Sequence, residues 1–330
     1  MIERQYPWLN AAINQYSDSR FPSCLLIDGE AGLGKQVLAS YFAKKLLCLD
    51  LTKPCNKCNS CIYFDAGSHP DYCFLSGENS SSSLLAPTNA KKDSITSKKI
   101  DGIRSLNEFI SLSHSVSPTR VGIIFDAHLM NVNSQNALLK TLEELPENKF
   151  ILLVSNKRRN FLPTIYSRST HLSIQNPSTT EIDRWLLSQG FIDYSSLNFA
   201  PDLTPLAIEK LITKDHVTHY QDLTNKLNAY CSGEIDTFDL LKYYKELDVT
   251  LDEKVDSLIL FLKTNLGILL GFYKSNPMMS ALDKKAPDSR ELSGLIDDLI
   301  EYKVSLNLVP SLNEQIGLSH FIFKLQALCR

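Results

Sequence analysis

A glycine-rich loop directly after an apolar strand is the feature that most limits the folds open to this chain. Residues 29–36 read Gly-Glu-Ala-Gly-Leu-Gly-Lys-Gln, and the apolar run at 24–28 precedes them. Gly29, Gly34 and Lys35 have the spacing of a phosphate-binding loop, GxxxxGK[ST], with Gly32 between them. The sequence therefore predicts an α/β domain in which backbone N–H groups at a helix N-terminus, together with Lys35, would face a phosphate.

The last position of this loop departs from the pattern. Gln36 stands where a Ser or Thr hydroxyl would ligate Mg²⁺. Hydrolysis also needs two acids after a second strand, one to orient Mg²⁺ and one to polarise the attacking water. The candidate strand ends Phe125-Asp126-Ala127 and offers a single carboxylate. We therefore expect no hydrolysis, and the sequence leaves open whether the loop binds ATP or ADP or is kept for packing.

Alternating apolar runs and helical patterns fill the first half of the chain and predict a parallel sheet covered on both faces. The expected strands are 24–28, 72–75, 121–125, 150–154 and 171–174, and the expected helices are 35–47, 100–113 and 136–145. After these, a capping box of Ser178 and Glu181 opens a helical remainder. We expect three domains: an α/β domain at 1–175, a small helical domain at 176–215 and a helical C-terminal domain at 216–330.

Four cysteines after the first helix form the second strong signal. Cys48 is followed by Cys55, Cys58 and Cys61, among polar and proline residues that make poor core material. Thiolates at such short spacing suit a tetrahedral structural Zn²⁺. We expect these four residues to bind zinc, with Cys73 and His69 as substitute ligands.

Composition restricts the environment of the chain and its partners. The net charge of −3 excludes a strong overall attraction to nucleic acid or anionic lipid. The first residues lack the pattern of a secretory signal, and the most apolar stretch, 258–272, is interrupted by Lys263 and reads as a buried helix. We expect a cytoplasmic protein without a membrane segment, with a loop at 76–97. The basic clusters 98–99 and 157–159 are either solvated or in contact with a phosphate backbone.

Arg168 lies in a Ser-Arg-Ser run just before the last expected strand. An arginine at a domain surface is usually a solvated charge or an ion-pair partner. The alternative is an arginine finger that reaches a phosphate bound by a neighbouring subunit.

Taken together, these motifs resemble one family, the delta-prime subunits of bacterial DNA polymerase III, which are AAA+ proteins of the clamp loader. The resemblance covers about residues 20–175. It is carried by the loop at 29–36, the cysteine module, Gly-Ser-His-Pro-Asp at 67–71, Asn-Ala-Leu-Leu-Lys-Thr-Leu-Glu-Glu at 136–144 and Ser-Arg-Ser at 167–169. The run at 136–144 is the most specific of these, because it is similar to the clamp-loader signature.

The resemblance implies an AAA+ domain, a small lid domain and a C-terminal collar. It implies a stator in a five-subunit ring with motor subunits and the delta subunit, which opens the sliding clamp and places it on primer-template DNA. Arg168 would complete the ATP site of an adjacent motor. The chain itself would have no catalytic activity, and DNA-directed DNA polymerase activity would reside in the whole complex.

Several departures from the motor subunits fit the delta-prime assignment. Counted back from Asn136, Asp126 falls on the Glu of the acidic pair and Phe125 on its Asp. Thr204-Pro-Leu-Ala lacks the phosphate-sensing arginine of the motor lid. Ser169 is a departure of another kind, since it replaces the Cys of the family's own Ser-Arg-Cys motif while the arginine is retained.

Three other functions remain open from the sequence. They are an active clamp-loader-like ATPase motor with unusual metal ligation, a zinc-bearing nucleic-acid-binding module, and a scaffold in which Arg168 is inert. The sequence gives neither the number of motor subunits nor the surfaces that would meet delta and DNA.

Overall fold

The computed structural model describes residues 2–16, 21–75, 100–156, 161–201, 203–214, 217–247, 249–272, 288–308 and 314–329. It divides into two compact units, Met1–Glu181 and Ile182–Arg330. The expected loop at 76–97 and the basic clusters at 98–99 and 157–159 lie outside the described residues.

A five-stranded parallel sheet forms the centre of the first unit. Its strands are β1 (Cys24–Asp28), β2 (Tyr72–Leu75), β3 (Arg120–Ile124), β4 (Lys149–Ser155) and β5 (Thr170–Ser173). They lie in the order β2-β3-β4-β1-β5, and every pair is parallel. This confirms the expected sheet, with strand ends that differ from the prediction by one residue or less.

Within the described residues seven α-helices accompany the sheet: α1 (Ile2–Gln5), α2 (Asn10–Gln15), α3 (Lys35–Leu47), α4 (Asn59–Asp65), α5 (Ile100–Ser111), α6 (Val132–Glu143) and α7 (Pro163–Arg168). On one face of the sheet, α3 packs through Leu38 and Phe42 on a buried cluster that includes Ile27. On the other face, α5 and α6 pack through Leu106 and Leu138. Because both faces are covered, the strands can be apolar throughout, as the sequence shows.

Two larger differences from the sequence prediction concern α6 and α7. Helix α6 begins at Val132, four residues before the expected start, because the Asn131 side chain accepts a hydrogen bond from the Ser134 N–H and caps it. Arg168 is the last residue of the short helix α7, which the sequence did not predict.

The second unit is helical throughout its described residues. Its helices are α8 (Thr179–Ser188, which begins in the first unit), α9 (Pro205–Thr213), α10 (Val217–Cys231), α11 (Thr237–Glu246), α12 (Leu251–Leu269), α13 (Ser289–Leu308) and α14 (Glu314–Cys329). The predicted capping box of Ser178 and Glu181 is present, with the Ser178 N–H donating to Glu181 Oε2 at 2.9 Å. Leu258 and Leu262 of α12 are fully buried, which confirms the expected buried helix. Among the described helices, none is both long and apolar enough to cross a bilayer.

Candidate functional site

The glycine loop lies between the carboxyl end of β1 and the amino end of α3. Gly29, Gly32 and Gly34 have φ angles of +149°, +85° and +76°, a region that residues with a Cβ rarely adopt. A Cβ at Gly29 would also lie 2.5 Å from the carbonyl oxygen of Ile174. The three glycines therefore fix the backbone course of the loop. Trp8 covers it, with its Nε1–H donating to the Leu33 carbonyl at 3.0 Å.

Lys35 is the one positively charged residue of the loop at 29–36, and its side chain is buried at the start of α3. Its Nζ donates a hydrogen bond to the Glu30 carbonyl oxygen within the loop itself. Burial lowers the pKa of Lys35 to about 8, and the carboxylates of Asp126, Asp28 and Glu30 act in the opposite direction. The ammonium thus already has a backbone partner in this structure.

The residues after β3 lack the second acid of a hydrolytic site. Phe125, at the position where the resemblance places Asp, is buried and packs on Phe74 with ring centroids 5.8 Å apart. Asp126 has a positive φ of +49° and accepts a hydrogen bond from Asn156 Nδ2 at 3.3 Å. Its side chain does not cap the short 3₁₀ helix that follows it.

The sulfur atoms of Cys48, Cys55, Cys58 and Cys61 lie within 4.8 Å of one another. Sulfurs at the corners of a tetrahedron with metal–sulfur bonds of 2.3 Å would be about 3.8 Å apart. The Sγ atoms of Cys48 and Cys58 are 3.9 Å apart, close to that value. The four residues could therefore hold a metal ion such as zinc with little movement.

Backbone N–H groups turn toward these sulfurs and favour thiolates. The N–H groups of Cys55, Cys58 and Cys61 donate to the Sγ atoms of Cys48, Cys55 and Cys58 at 3.4, 3.3 and 3.5 Å. Burial raises the pKa of Cys58, but backbone and side-chain hydrogen bonds outweigh it and lower this pKa to about 6. Burial raises the pKa of Cys61 to about 12. Without a cation the cluster cannot carry four negative charges, which is the state that a divalent ion stabilises.

The two substitute ligands do not join this cluster. Cys73 lies on β2, packs with the α5 side of the core, and has a pKa raised by burial to about 12. The His69 Nδ1 accepts a hydrogen bond from the Asp71 N–H at 3.0 Å, and its Nε2 lies 2.8 Å from the Ser60 Oγ. With Nδ1 as an acceptor, the neutral ring must carry its proton on Nε2 and donate to Ser60.

Asp71, at the end of the Gly-Ser-His-Pro-Asp run, anchors the segment before β3 and the first residue of β3, a role that the sequence did not reveal. The carboxylate is fully buried and pairs with Arg120 Nη2 at 3.0 Å. It also accepts three backbone N–H groups, at distances of 2.7 to 2.9 Å, from residues 115–117. Ser60 and Ser117 both donate to the Leu47 carbonyl at the end of α3.

Arg168 and the glycine loop lie at opposite ends of two neighbouring parallel strands, β5 and β1. Strand β5 runs parallel to β1 with Thr170 beside Leu25 and Ser173 beside Asp28. The glycine loop leaves the carboxyl end of β1, whereas Arg168 precedes the amino end of β5. Its side chain is partly exposed. The Nη2 of Arg168 pairs at 2.8 Å with Oε1 of Glu143, the last residue of α6, the helix that contains most of the run at 136–144.

Comparison with known proteins identifies relatives of the first unit. The family model described as DNA polymerase III, delta subunit, matches residues 5–178, more than half of the chain. DNA polymerase III subunit delta' of Pseudomonas aeruginosa is 33% identical over 184 residues, 55% of this chain and 52% of that protein. The subunit delta' of Haemophilus influenzae is 30% identical over 208 residues, 62% of this chain and 58% of that protein.

A second kind of subunit is also similar to this chain. DNA polymerase III subunit tau/gamma of Haemophilus influenzae is 28% identical over 180 residues, 54% of this chain and 24% of that protein. The chain spans only about half the length of the delta' relatives that it matches.

Proposed function

The chain belongs to the delta-prime family of DNA polymerase III subunits, and from this membership we propose that it is the stator of a bacterial replicative clamp loader. In this role it joins motor subunits and the delta subunit in a pentameric ring. The ring opens the sliding clamp and loads it on primer-template DNA. The chain has no catalytic activity of its own and works in the cytoplasm as part of the polymerase holoenzyme.

The AAA+ fold class predicted from the sequence is confirmed by the parallel sheet with its loop after β1, the helical second unit and the four-cysteine cluster. Within the helical part we propose a lid at 176–215 and a collar at 216–330 that holds the ring together.

The position of Arg168 is the observation that carries the proposal. The three residue steps from Leu25 to Asp28 span about 10 Å along the sheet, and Arg168 lies still further from the loop, beyond the opposite end. An arginine there is badly placed to serve its own loop but is free to face another subunit. We therefore assign Arg168 as an arginine finger that acts in trans on the ATP site of a neighbouring motor.

Two features support the absence of hydrolysis by the chain itself. Gln36 puts an amide where Mg²⁺ needs a hydroxyl, and Phe125 fills an acid position with a core aromatic ring. A structural Zn²⁺ on Cys48, Cys55, Cys58 and Cys61 fits this role, since four protein ligands leave no open position for a substrate.

Reconstitution with motor and delta subunits tests the proposal. The ring is assembled with wild-type chain, with Arg168→Ala, and with Arg184→Ala as a matched control at another exposed arginine. An arginine finger contributes roughly 10³ to 10⁵ in rate at the site that it serves. We expect Arg168→Ala to assemble normally and to lower DNA-stimulated ATP turnover and clamp loading, with only partial loss of total turnover because other motor sites keep their fingers.

Arg168→Lys separates the finger from simple charge, because an ammonium does not reproduce the planar fork of a guanidinium. We expect it to be nearly as slow as the alanine variant. Equal turnover and loading rates in rings with wild-type chain and with Arg168→Ala would refute the arginine finger. The chain would then have only a scaffolding role.

The second candidate is an active motor-type ATPase, favoured by the similarity to subunit tau/gamma and by the retained Lys35. It predicts Mg²⁺-dependent ATP hydrolysis by the purified chain alone. A turnover lost in Lys35→Ala would establish this activity and displace the stator proposal.

A further inference from the structure

One oxygen of a buried carboxylate directly before the glycine loop lacks a hydrogen-bond partner among the described residues. Asp28 ends β1, is only 5% exposed, and its Oδ1 has no hydrogen-bond partner in the described structure. Buried carboxylates normally accept several hydrogen bonds or pair with a cation, because an isolated buried charge is costly. The side chain therefore needs an explanation beyond packing.

The charges around the loop are unfavourable for a phosphate. Among the described residues of the loop Lys35 is the one cation, whereas three carboxylates act on it, those of Asp126, Asp28 and Glu30. Glu30 is exposed, so water and salt screen it. An acid at the position of Asp126 is compatible with nucleotide binding, since phosphate loops use acids after the second strand to orient Mg²⁺. Asp28 differs from both of these acids, because its carboxylate is buried and therefore only weakly screened, and orienting Mg²⁺ does not account for it.

We propose that Asp28 is a specificity-determining residue that excludes nucleotide phosphates from the loop. This inference rests on the proposed inactive loop and names the residue responsible. The carboxylate places a fixed negative charge one residue before Gly29, where the backbone N–H groups would otherwise attract an anion. It also offsets the positive charge of Lys35, whose Nζ remains on the Glu30 carbonyl.

The repulsion should be strong for a multiply charged ligand. A diphosphate carries at least two negative charges, and each interacts with Asp28 in a site where salt penetrates poorly. Replacement of Asp28 by Asn keeps the shape of the side chain, removes its charge and turns one acceptor oxygen into an NH₂ donor. Because Gln36 has removed the Mg²⁺ ligand, the suitable probe is ADP without divalent ions.

Calorimetric titration of the full chain with ADP in EDTA tests the inference. We expect wild type to bind ADP weakly, with Kd above about 1 mM, and Asp28→Asn to bind it at least about tenfold more tightly. The matched control is Glu30→Gln, which removes a neighbouring exposed charge and should change affinity less than about threefold. Asp28→Asn combined with Lys35→Ala should lose the gain, because the phosphate would lie on Lys35.

Thermal melting verifies that each variant is folded, and Asp28→Ser replaces Asp28→Asn if the latter is not. Tight ADP binding by wild type overturns the inference, as does an unchanged affinity in the Asp28 variant. An equal gain in Glu30→Gln, or a gain that survives the loss of Lys35, also overturns it. Failure of the stator proposal can be told apart from failure of this inference. The first would be seen in the ring assay with Arg168→Ala, and the second in the ADP titration.

Discussion

Replacement of Asp71 by Asn should destabilise the first unit strongly. The two carboxylate oxygens of Asp71 share four donors: Oδ1 accepts from the Ser115 N–H and from Arg120, and Oδ2 accepts from the N–H groups of Val116 and Ser117. Asn has one oxygen and one NH₂ group. Whichever way its amide turns, two donors lose their acceptor and Arg120 loses its counter-charge.

The size of the effect follows from burial. Asp71 is fully buried and the Arg120 side chain is 5% exposed, so water cannot replace the lost interactions. Removal of one partner from a buried ion pair costs about 3–5 kcal/mol. For a unit of this size each kcal/mol lowers the melting temperature by about 2–4 °C, which gives an expected fall of roughly 6–20 °C.

Intrinsic fluorescence can isolate this unit. The chain has two tryptophans, Trp8 in the first unit and Trp185 in the second. In a Trp185→Phe background, Trp8 reports the unfolding of the first unit alone. Urea titration of zinc-saturated protein, with and without Asp71→Asn, then yields the difference in the free energy of unfolding.

Asp65→Asn is the matched control, because Asp65 also pairs with a cation, Lys44, at 2.7 Å, but is more than half exposed. An exposed pair contributes up to about 1 kcal/mol. The reasoning is refuted if Asp71→Asn costs less than about 1 kcal/mol or no more than Asp65→Asn. In that case the Gly-Ser-His-Pro-Asp run would need a role other than anchoring.

Three further predictions concern metal, loop and pH. Elemental analysis should find one zinc per chain in wild type and in Cys73→Ser but little zinc in Cys58→Ser. Less than about a tenth of an equivalent of zinc in wild type, with all eight thiols titratable, would contradict the metal site. The isolated chain should hydrolyse no ATP, and rings containing Lys35→Ala should load clamps nearly as well as wild type. Burial lowers the pKa of His69 below its usual 6.5, so the neutral ring is favoured on folding. Stability should be complete above pH 6.5 and fall as pH drops through the lowered pKa, and urea titrations of His69→Gln should show a smaller loss between pH 7.5 and 5.5.

Local patterns in the sequence predicted the sheet and the loop well, because each strand is an apolar run and the glycines leave little freedom between β1 and α3. The apolar stripe of helix α6 begins at Leu138 and therefore predicts a start later than the observed one, which the cap at Asn131 sets. The short helices α4 and α7 were missed, since one turn or two carry almost no periodic signal.

Contacts between residues that are far apart in the chain could not be predicted from the sequence. Asp71 and Arg120 are 49 positions apart, and neither stands out as a pair in one sequence. His69 was proposed as a substitute metal ligand because histidine commonly binds zinc, but both of its ring nitrogens are engaged by Asp71 and Ser60. The orphan oxygen of Asp28 likewise depends on tertiary packing, since an Asp at a strand end looks ordinary in the sequence.

In the arginine-finger role that we propose for Arg168, its ion pair with Glu143 would hold the exposed side chain and still leave it available. Both side chains are partly exposed, 37% and 48%, and such a pair is worth at most about 1 kcal/mol. It suffices to bias the guanidinium toward one rotamer on α7, yet a γ-phosphate with several negative charges would displace Glu143 at little cost. Glu143 is also the last residue of the signature helix α6, whose Leu138 and Leu142 are buried in the core. The helix therefore links the packing of the sheet to the aim of Arg168, which is a physical reason for the two motifs to occur together in one chain.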